Sequence, residues 1–169
     1  MALVHEQLYQ SGNLSSIALN DYIRDLCQRL GATSGAHQRG IVIICDAEPI
    51  DIGLDTAVPF GLLLNELISN SLKHGFPEDR TGEVRVELRR LAEDVGSLSV
   101  SDDGVGLPPG MDTLSSPSLG LKLVATLGAQ LDGELLFESI AGTRVVFQFP
   151  IRHSAPRKED KSDVSAFER

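Results

Sequence analysis

Tryptophan is absent from this chain of 169 residues, and aromatic side chains make up only 5% of it. The interior therefore has to be filled by aliphatic side chains. Positive charge is scarce as well: 15 Lys and Arg stand against 24 Asp and Glu, a formal net charge of −9. That balance argues against a surface built for nucleic acid or anionic lipid, although a local basic pocket is compatible with it. Cys27 and Cys45 are the only cysteines and have neither a CxxC spacing nor a neighbouring His pair. They read as two reduced core thiols of a cytosolic protein rather than as a zinc site or a disulfide framework. No apolar run approaches the ~18 residues of a membrane span, and the N-terminus lacks the basic-then-apolar order of a signal peptide. What is present, 41% hydrophobic and 23% charged residues, fits a globular chain of one domain plus tails, at roughly 100–200 residues per domain.

Periodicity divides the chain into short elements. Leu3, Val4 and Leu8 share one helical side over Ala2–Tyr9 before Ser11-Gly12-Asn13 breaks the pattern. A helix is expected over Leu19–Leu30, with Tyr22, Ile23, Leu26 and Leu30 as its stripe and Gly31 as its stop. Ile41–Cys45 and Ile50-Asp51-Ile52 read as two strands joined near Glu48-Pro49. Thr56–His74 is the longest helical candidate, with Pro59 tolerable only near its start. Val84, Val86 and Leu88 alternate with charged residues as a half-exposed strand, and Val95–Val100 is another. Gly104–Pro117 is loop by composition, and Leu123, Val124, Leu127 and Leu131 mark a third helix. Gly133–Phe137 and Arg144–Phe149 close the pattern as strands around Ala141-Gly142, and a polar tail follows from Arg152. The order predicts an α+β fold, a two-layer sandwich of a mixed sheet with helices on one face.

Four segments offer chemistry. At 100° per residue, Glu66, Asn70, Lys73 and His74 fall on one side of the long helix, away from Leu64, Leu67, Ile68, Ser71 and Leu72. This stripe is either a solvated face or a row of ligand-binding groups; two mid-helix Asn residues and the lack of alternating Glu/Lys pairs favour the second. Asp102-Asp103-Gly104-Val105-Gly106 at a strand end is either a turn or a place where backbone approaches a flat ligand while a carboxylate accepts its hydrogen. Ser118-Leu119-Gly120 at a helix start is either a cap or a phosphate seat on free N–H groups. Gly142-Thr143 reads as a hairpin whose hydroxyl could share a water with a carboxylate. No GxxxxGK[ST] run exists, which excludes a Walker P-loop.

In order and spacing these segments resemble the GHKL ATP-binding fold shared by histidine kinases, gyrase and heat-shock chaperones. The resemblance rests on NELxxNSLKH ending at His74, DDGVGLP from Asp102, SLGLKLV from Ser118 and GTRVVFQFP ending at Pro150. His5-Glu6-Gln7-Leu8-Tyr9-Gln10-Ser11 is similar to the end of the dimerisation helices in one class of sensor kinase. That class is the sister of the HWE-type kinases, whose diagnostic Trp is missing here.

The resemblance implies the Mg-ATP-binding catalytic domain of a two-component histidine kinase. Residues 1–16 would be a remnant of the dimerisation helix, 17–151 the ATP-binding domain and 152–169 a disordered tail. Asn70 would ligate Mg²⁺, which takes oxygen donors, and Lys73 and His74 would meet phosphate and ribose. Glu66 matches the position that orients or deprotonates the attacking group in the ATPases, where many histidine kinases have Asn. Asp102 would accept the adenine amino hydrogen, Gly104 and Gly106 would permit close approach, and Thr143 would help through water. Gly120 and Leu121, at the start of the third helix, would offer N–H groups to phosphate. Ser118 stands where the third box usually carries Gly. The phosphoacceptor histidine would lie on a helix outside this chain, His37 and His153 being incidental. The full-length protein would be a homodimer, cytoplasmic or the cytoplasmic part of a larger sensor, serving a response-regulator receiver domain and no nucleic acid. A serine kinase acting as an anti-sigma factor and a non-catalytic nucleotide-sensing module are the alternatives within the same fold.

Overall fold

Five strands form the main sheet of the computed structural model, which describes residues 16–107, 119–139 and 141–152. The expectations for Ala2–Tyr9, for the loop and Ser118 within 108–118, and for His153 and the tail beyond it lie outside the described residues. The sheet order is β2 (Ile41–Ala47), β4 (Gly82–Ala92), β5 (Val95–Asp102), β7 (Thr143–Pro150) and β6 (Glu134–Glu138). β2 runs parallel to β4 and every other pair is antiparallel, so the sheet is mixed. Period-two alternation explains which face is covered. Val84, Val86, Leu88, Leu98, Val100, Val145, Phe147 and Phe149 are all buried. The opposite face carries ion pairs such as Arg85–Glu83 and Arg144–Glu138. At that exposure each contributes about 0–1 kcal/mol.

Three helices cover the apolar face. α1 (Leu19–Thr33) buries Leu19, Tyr22, Ile23 and Cys27, a spacing of three and four residues. It runs through Gly31 rather than stopping there. A side chain at Gly31 would meet only Ile43 Cδ1 at 3.8 Å, and the left-handed turn falls instead at Gly35, with φ of 69°. α2 (Leu54–Asn70) starts two residues earlier than Thr56 and holds Pro59 within the helix. The hydrogen bond that Pro59 cannot make would end on Asp55, in the first turn, where the ring costs least. α3 (Leu119–Gln130) starts ahead of its apolar stripe.

β3 (Asp51–Gly53) follows β2 through Glu48-Pro49, as the sequence indicates. It pairs antiparallel with β1 (Ser16–Ala18), Ile17 opposite Ile52, in a separate two-stranded sheet. The pairing buries Ile17 and Ile52 together, at 2% and 1% exposure, a long-range packing gain that no local turn signal reports. The core also corrects the aliphatic expectation. Of the five Phe among the described residues, Phe60, Phe76, Phe147 and Phe149 are buried in it. Phe60 meets Phe149 edge-on at 5.1 Å and Phe147 stacks on Phe149 at 5.6 Å, geometries that add to area burial. Among the described residues no helix is long and apolar enough to cross a membrane.

Candidate nucleotide site

β5 ends at Asp102, and the β5–β7 register sets Thr143 opposite it. The Asp102 carboxylate is 7% exposed. Its Oδ1 accepts the Gly104 N–H at 3.0 Å and the Thr143 N–H at 3.1 Å. Thr143 therefore reaches this carboxylate directly through its main chain, where sequence pointed to a hydroxyl and a water. Oδ2 is buried and has no partner among the described residues. Leaving a buried acceptor unpaired costs about 1–3 kcal/mol. The neighbouring Asp103 is spent on structure: its Oδ1 accepts the Glu83 N–H at 2.8 Å and its carbonyl accepts from Arg80 at 2.6 Å.

Glycines let the backbone close around Asp102. A Cβ at Gly75 would lie 3.1 Å from Asp102 Oδ1, and one at Gly104 would overlap the Gly75 carbonyl. That carbonyl accepts the Val105 N–H at 2.9 Å, which joins the end of the long helix to the Asp102 loop. Gly106 has φ of 77°. The next residue, Leu107, donates its N–H to Ser139 Oγ at 3.0 Å, and the Ser139 hydroxyl donates to the Gly142 carbonyl at 3.3 Å. Gly75 and Ser139 escaped sequence reasoning: Gly75 looks like an ordinary helix stop until Asp102 is folded against it.

The second half of the site is the end of α2. Glu66 and Asn70, one turn apart, are both half-buried. A Cβ at Gly120 would lie 3.3 Å from Glu66 Oε2 and 3.4 Å from Asn70 Oδ1, so the first turn of α3 sits directly over this pair. The first turn of a helix carries the positive end of its dipole. Leu121, half-buried, belongs to the same turn.

The α winding ends at Asn70 and gives way to a π turn, Ser71–Gly75. The continuous stripe read at 100° per residue is thus broken: Lys73 and His74 are exposed on the π turn, out of α-helical phase with Glu66 and Asn70. Such turns recur at functional sites. An unforeseen residue holds this one. The Arg39 guanidinium, from the short 3₁₀ turn His37–Arg39, donates to the Leu72 carbonyl at 3.0 Å and to the Phe76 carbonyl at 2.7 Å. Arg39→Met keeps the stem and removes both bonds. It should cost about 1 kcal/mol, seen as a melting temperature lower by roughly 2–4 °C and faster amide exchange at Val105. An unchanged exchange rate there would mean that the clamp does not order the Gly75 carbonyl.

A mixed sheet backed by helices, with a buried Asp at a strand end and a helix N-terminus over a Glu/Asn pair, fits a nucleotide-binding ATPase sandwich. The chain belongs to the histidine kinase-, DNA gyrase B-, and HSP90-like ATPase family, which residues 56–153 match. Residues 1–34 match a second family, described as histidine kinase. Similarity to blue-light-activated histidine kinase 2 of Erythrobacter litoralis is 30% identity over 85% of this chain and 44% of that protein. Similarity to the sensor histidine kinase PdtaS of Mycobacterium tuberculosis is 37% identity over 60% of this chain and 21% of that protein. The chain thus spans less than half the length of these curated relatives. The solved histidine kinase domain of the Erythrobacter litoralis EL346 blue-light activated kinase superposes with a TM-score of 0.77 at 25% identity, over 88% of this chain and 70% of that one. The fold and the family are those of a histidine kinase ATPase catalytic domain.

Proposed function

We propose that this chain binds Mg-ATP between Asp102 and Asn70 and passes the γ-phosphoryl group to a histidine on a dimerisation helix outside this sequence. From there it would go to an aspartate of a response-regulator receiver domain. The observation that carries the reading is the buried, unpartnered Asp102 Oδ2. The exocyclic amino group of adenine supplies the donor that this atom lacks. The match of residues 1–34 to a histidine kinase segment supports histidine over serine as acceptor, and a homodimer as the working unit.

Each residue then has a task. Asp102 takes the adenine amino hydrogen, and Gly104 and Gly106 permit the close approach of the backbone around it. Asn70 offers its side-chain oxygen to Mg²⁺. Among the described residues no three His, Cys, Asp or Glu side chains could hold a metal by themselves. This suits an ion that draws its remaining ligands from phosphate oxygens and water. Bound Mg-ATP supplies the phosphoryl group and the charge neutralisation that its transfer requires. Lys73 and His74 meet phosphate and ribose, Gly120 and Leu121 present the first N–H groups of α3 to phosphate, and Glu66 orients the attacking imidazole.

Asp102→Asn tests the adenine contact. The Asn side chain can still accept the Gly104 and Thr143 N–H groups through its oxygen, but its amide nitrogen then points a donor at a donor. The loss should be about 1–3 kcal/mol, or roughly 5–150-fold in ATP affinity by calorimetric titration. The apo melting temperature should move by no more than roughly 2–4 °C. Equal affinity in the variant would overturn the assignment.

A further inference from the structure

The two cysteines, 18 positions apart in sequence, line one cavity where α1 packs on β2. α1 lies along β2, tied by the Arg24 guanidinium to the Ala47 carbonyl at 2.7 Å. Between them is a cavity of about 400 Å³ whose lining includes Arg24, Cys27, Gln28, His37, Ile43 and Cys45. Cys27 points inward from α1 at 4% exposure, whereas Cys45, on β2, is only half-buried. Both cysteines line this cavity, one from the helix and one from the strand.

We propose that Cys27 and Cys45 are a peroxide-oxidisable dithiol, Cys45 the attacking thiol and Cys27 the resolving one, that closes to a disulfide between α1 and β2. The environment divides the roles. The hydrogen bond from Cys27 holds Cys45 below the ordinary thiol range against the opposing effect of burial, and the Arg24 guanidinium adds to the lowering. Cys27 is pushed far up, first by that same hydrogen bond and then by burial. Thiolate character and access mark the sulfur that meets oxidant first.

The chemistry balances with hydrogen peroxide as the oxidant. The Cys45 thiolate sulfur attacks one peroxide oxygen, the O–O bond breaks, and the departing hydroxide takes up the proton that Cys45 had lost. Cys45 is then a sulfenic acid. The Cys27 sulfur attacks that sulfur, the S–O bond breaks, and the hydroxyl leaves as water with the Cys27 proton. Two thiols are oxidised to one disulfide while peroxide is reduced to two waters. The loop so closed carries Arg39 and its hold on the Leu72 and Phe76 carbonyls, which couples the thiols to the π turn of the nucleotide site.

The test uses the full chain, reduced and then exposed to dilute hydrogen peroxide, unfolded in iodoacetamide and weighed. The expected product is lighter by two hydrogen atoms, takes up no alkyl group and gives one linked peptide joining the two cysteines. It runs as a single chain on a non-reducing gel and melts at a higher temperature than the reduced form. In Cys27→Ser, Cys45 should stop at a sulfenic acid trapped by dimedone. In Cys45→Ser, Cys27 should react at least tenfold more slowly. Two alkylatable thiols after peroxide, sulfinic acid on Cys45 beside a free Cys27, or a disulfide between chains would each overturn the proposal. The linked-peptide measurement on the unsubstituted protein decides it even where the Cys27 variant does not fold.

Discussion

An Asn70→Asp variant is expected to lose phosphoryl transfer by about 10²–10³-fold, the usual cost of removing one electrostatic contact to the transferring group, while keeping its fold. The fold should survive because the new carboxylate enters a place suited to negative charge. The first turn of α3 lies over Asn70, where a Cβ at Gly120 would come within 3.4 Å of Asn70 Oδ1, and a helix N-terminus stabilises an adjacent anion by about 0.3–1 kcal/mol. Transfer should fail because that carboxylate also stands one turn from Glu66, whose Oε2 lies as close to the Gly120 position. Two anions side by side repel the phosphates they should help to hold. The measurement is phosphohistidine formed per minute by a kinase carrying its own dimerisation helices, with ATP affinity and melting temperature followed in parallel. A rate within a few-fold of the unsubstituted protein would remove Asn70 from the magnesium site. A collapse of the melting temperature would instead make it a structural residue.

Local pattern accounts for the parts of this molecule that depend on one element at a time. The alternation of Val84, Val86 and Leu88 marks β4, and the Asp-Gly-Val-Gly run marks the end of β5. The helical period brings Glu66 and Asn70 to one side of α2. What escaped is set by partners remote in sequence. The π turn after Asn70 is held by Arg39, whose two carbonyl bonds come from the connection between α1 and β2. β3 pairs with β1, Ile52 opposite Ile17, a partner that no local signal names. Gly31 does not end α1 because the left-handed residue that turns the chain is Gly35. Cys27 and Cys45 look solitary until a helix is laid on a strand. The glycines around Asp102 divide in the same way: Gly104 and Gly106 announce themselves beside an Asp, while Gly75 has meaning only through its contacts with Asp102 and Gly104.

Gly142→Ala should be the most damaging of the small substitutions at the site, although it adds a single methyl group. Gly142 has φ of 119°, a left-handed conformation that an L side chain resists at about 1–2 kcal/mol. The added Cβ would also overlap the main-chain carbonyl of Asp102 and approach Asp103 Cα to 3.1 Å. A backbone carbonyl at the end of a central strand cannot rotate aside as a flexible side chain can. Relief requires the turn before β7 to shift, and such overpacking costs about 1–3 kcal/mol more. A total near 4 kcal/mol predicts a melting temperature lower by roughly 8–16 °C. The shift also draws the Thr143 N–H away from Asp102 Oδ1, so the fraction that folds should bind ATP more weakly than a loss of stability alone would produce. The neighbouring residue supplies the control. Ala141 already has φ of 56°, so Ala141→Gly relieves a strained position and should leave stability unchanged or raise it by up to about 1 kcal/mol. Opposite signs at adjacent residues, read by thermal melting, would tie the effect to the close approach of Gly142 to Asp102. If both substitutions instead lowered stability equally, the cause would be general intolerance of the turn, and the contact between this hairpin and the buried Asp102 carboxylate would carry no special weight.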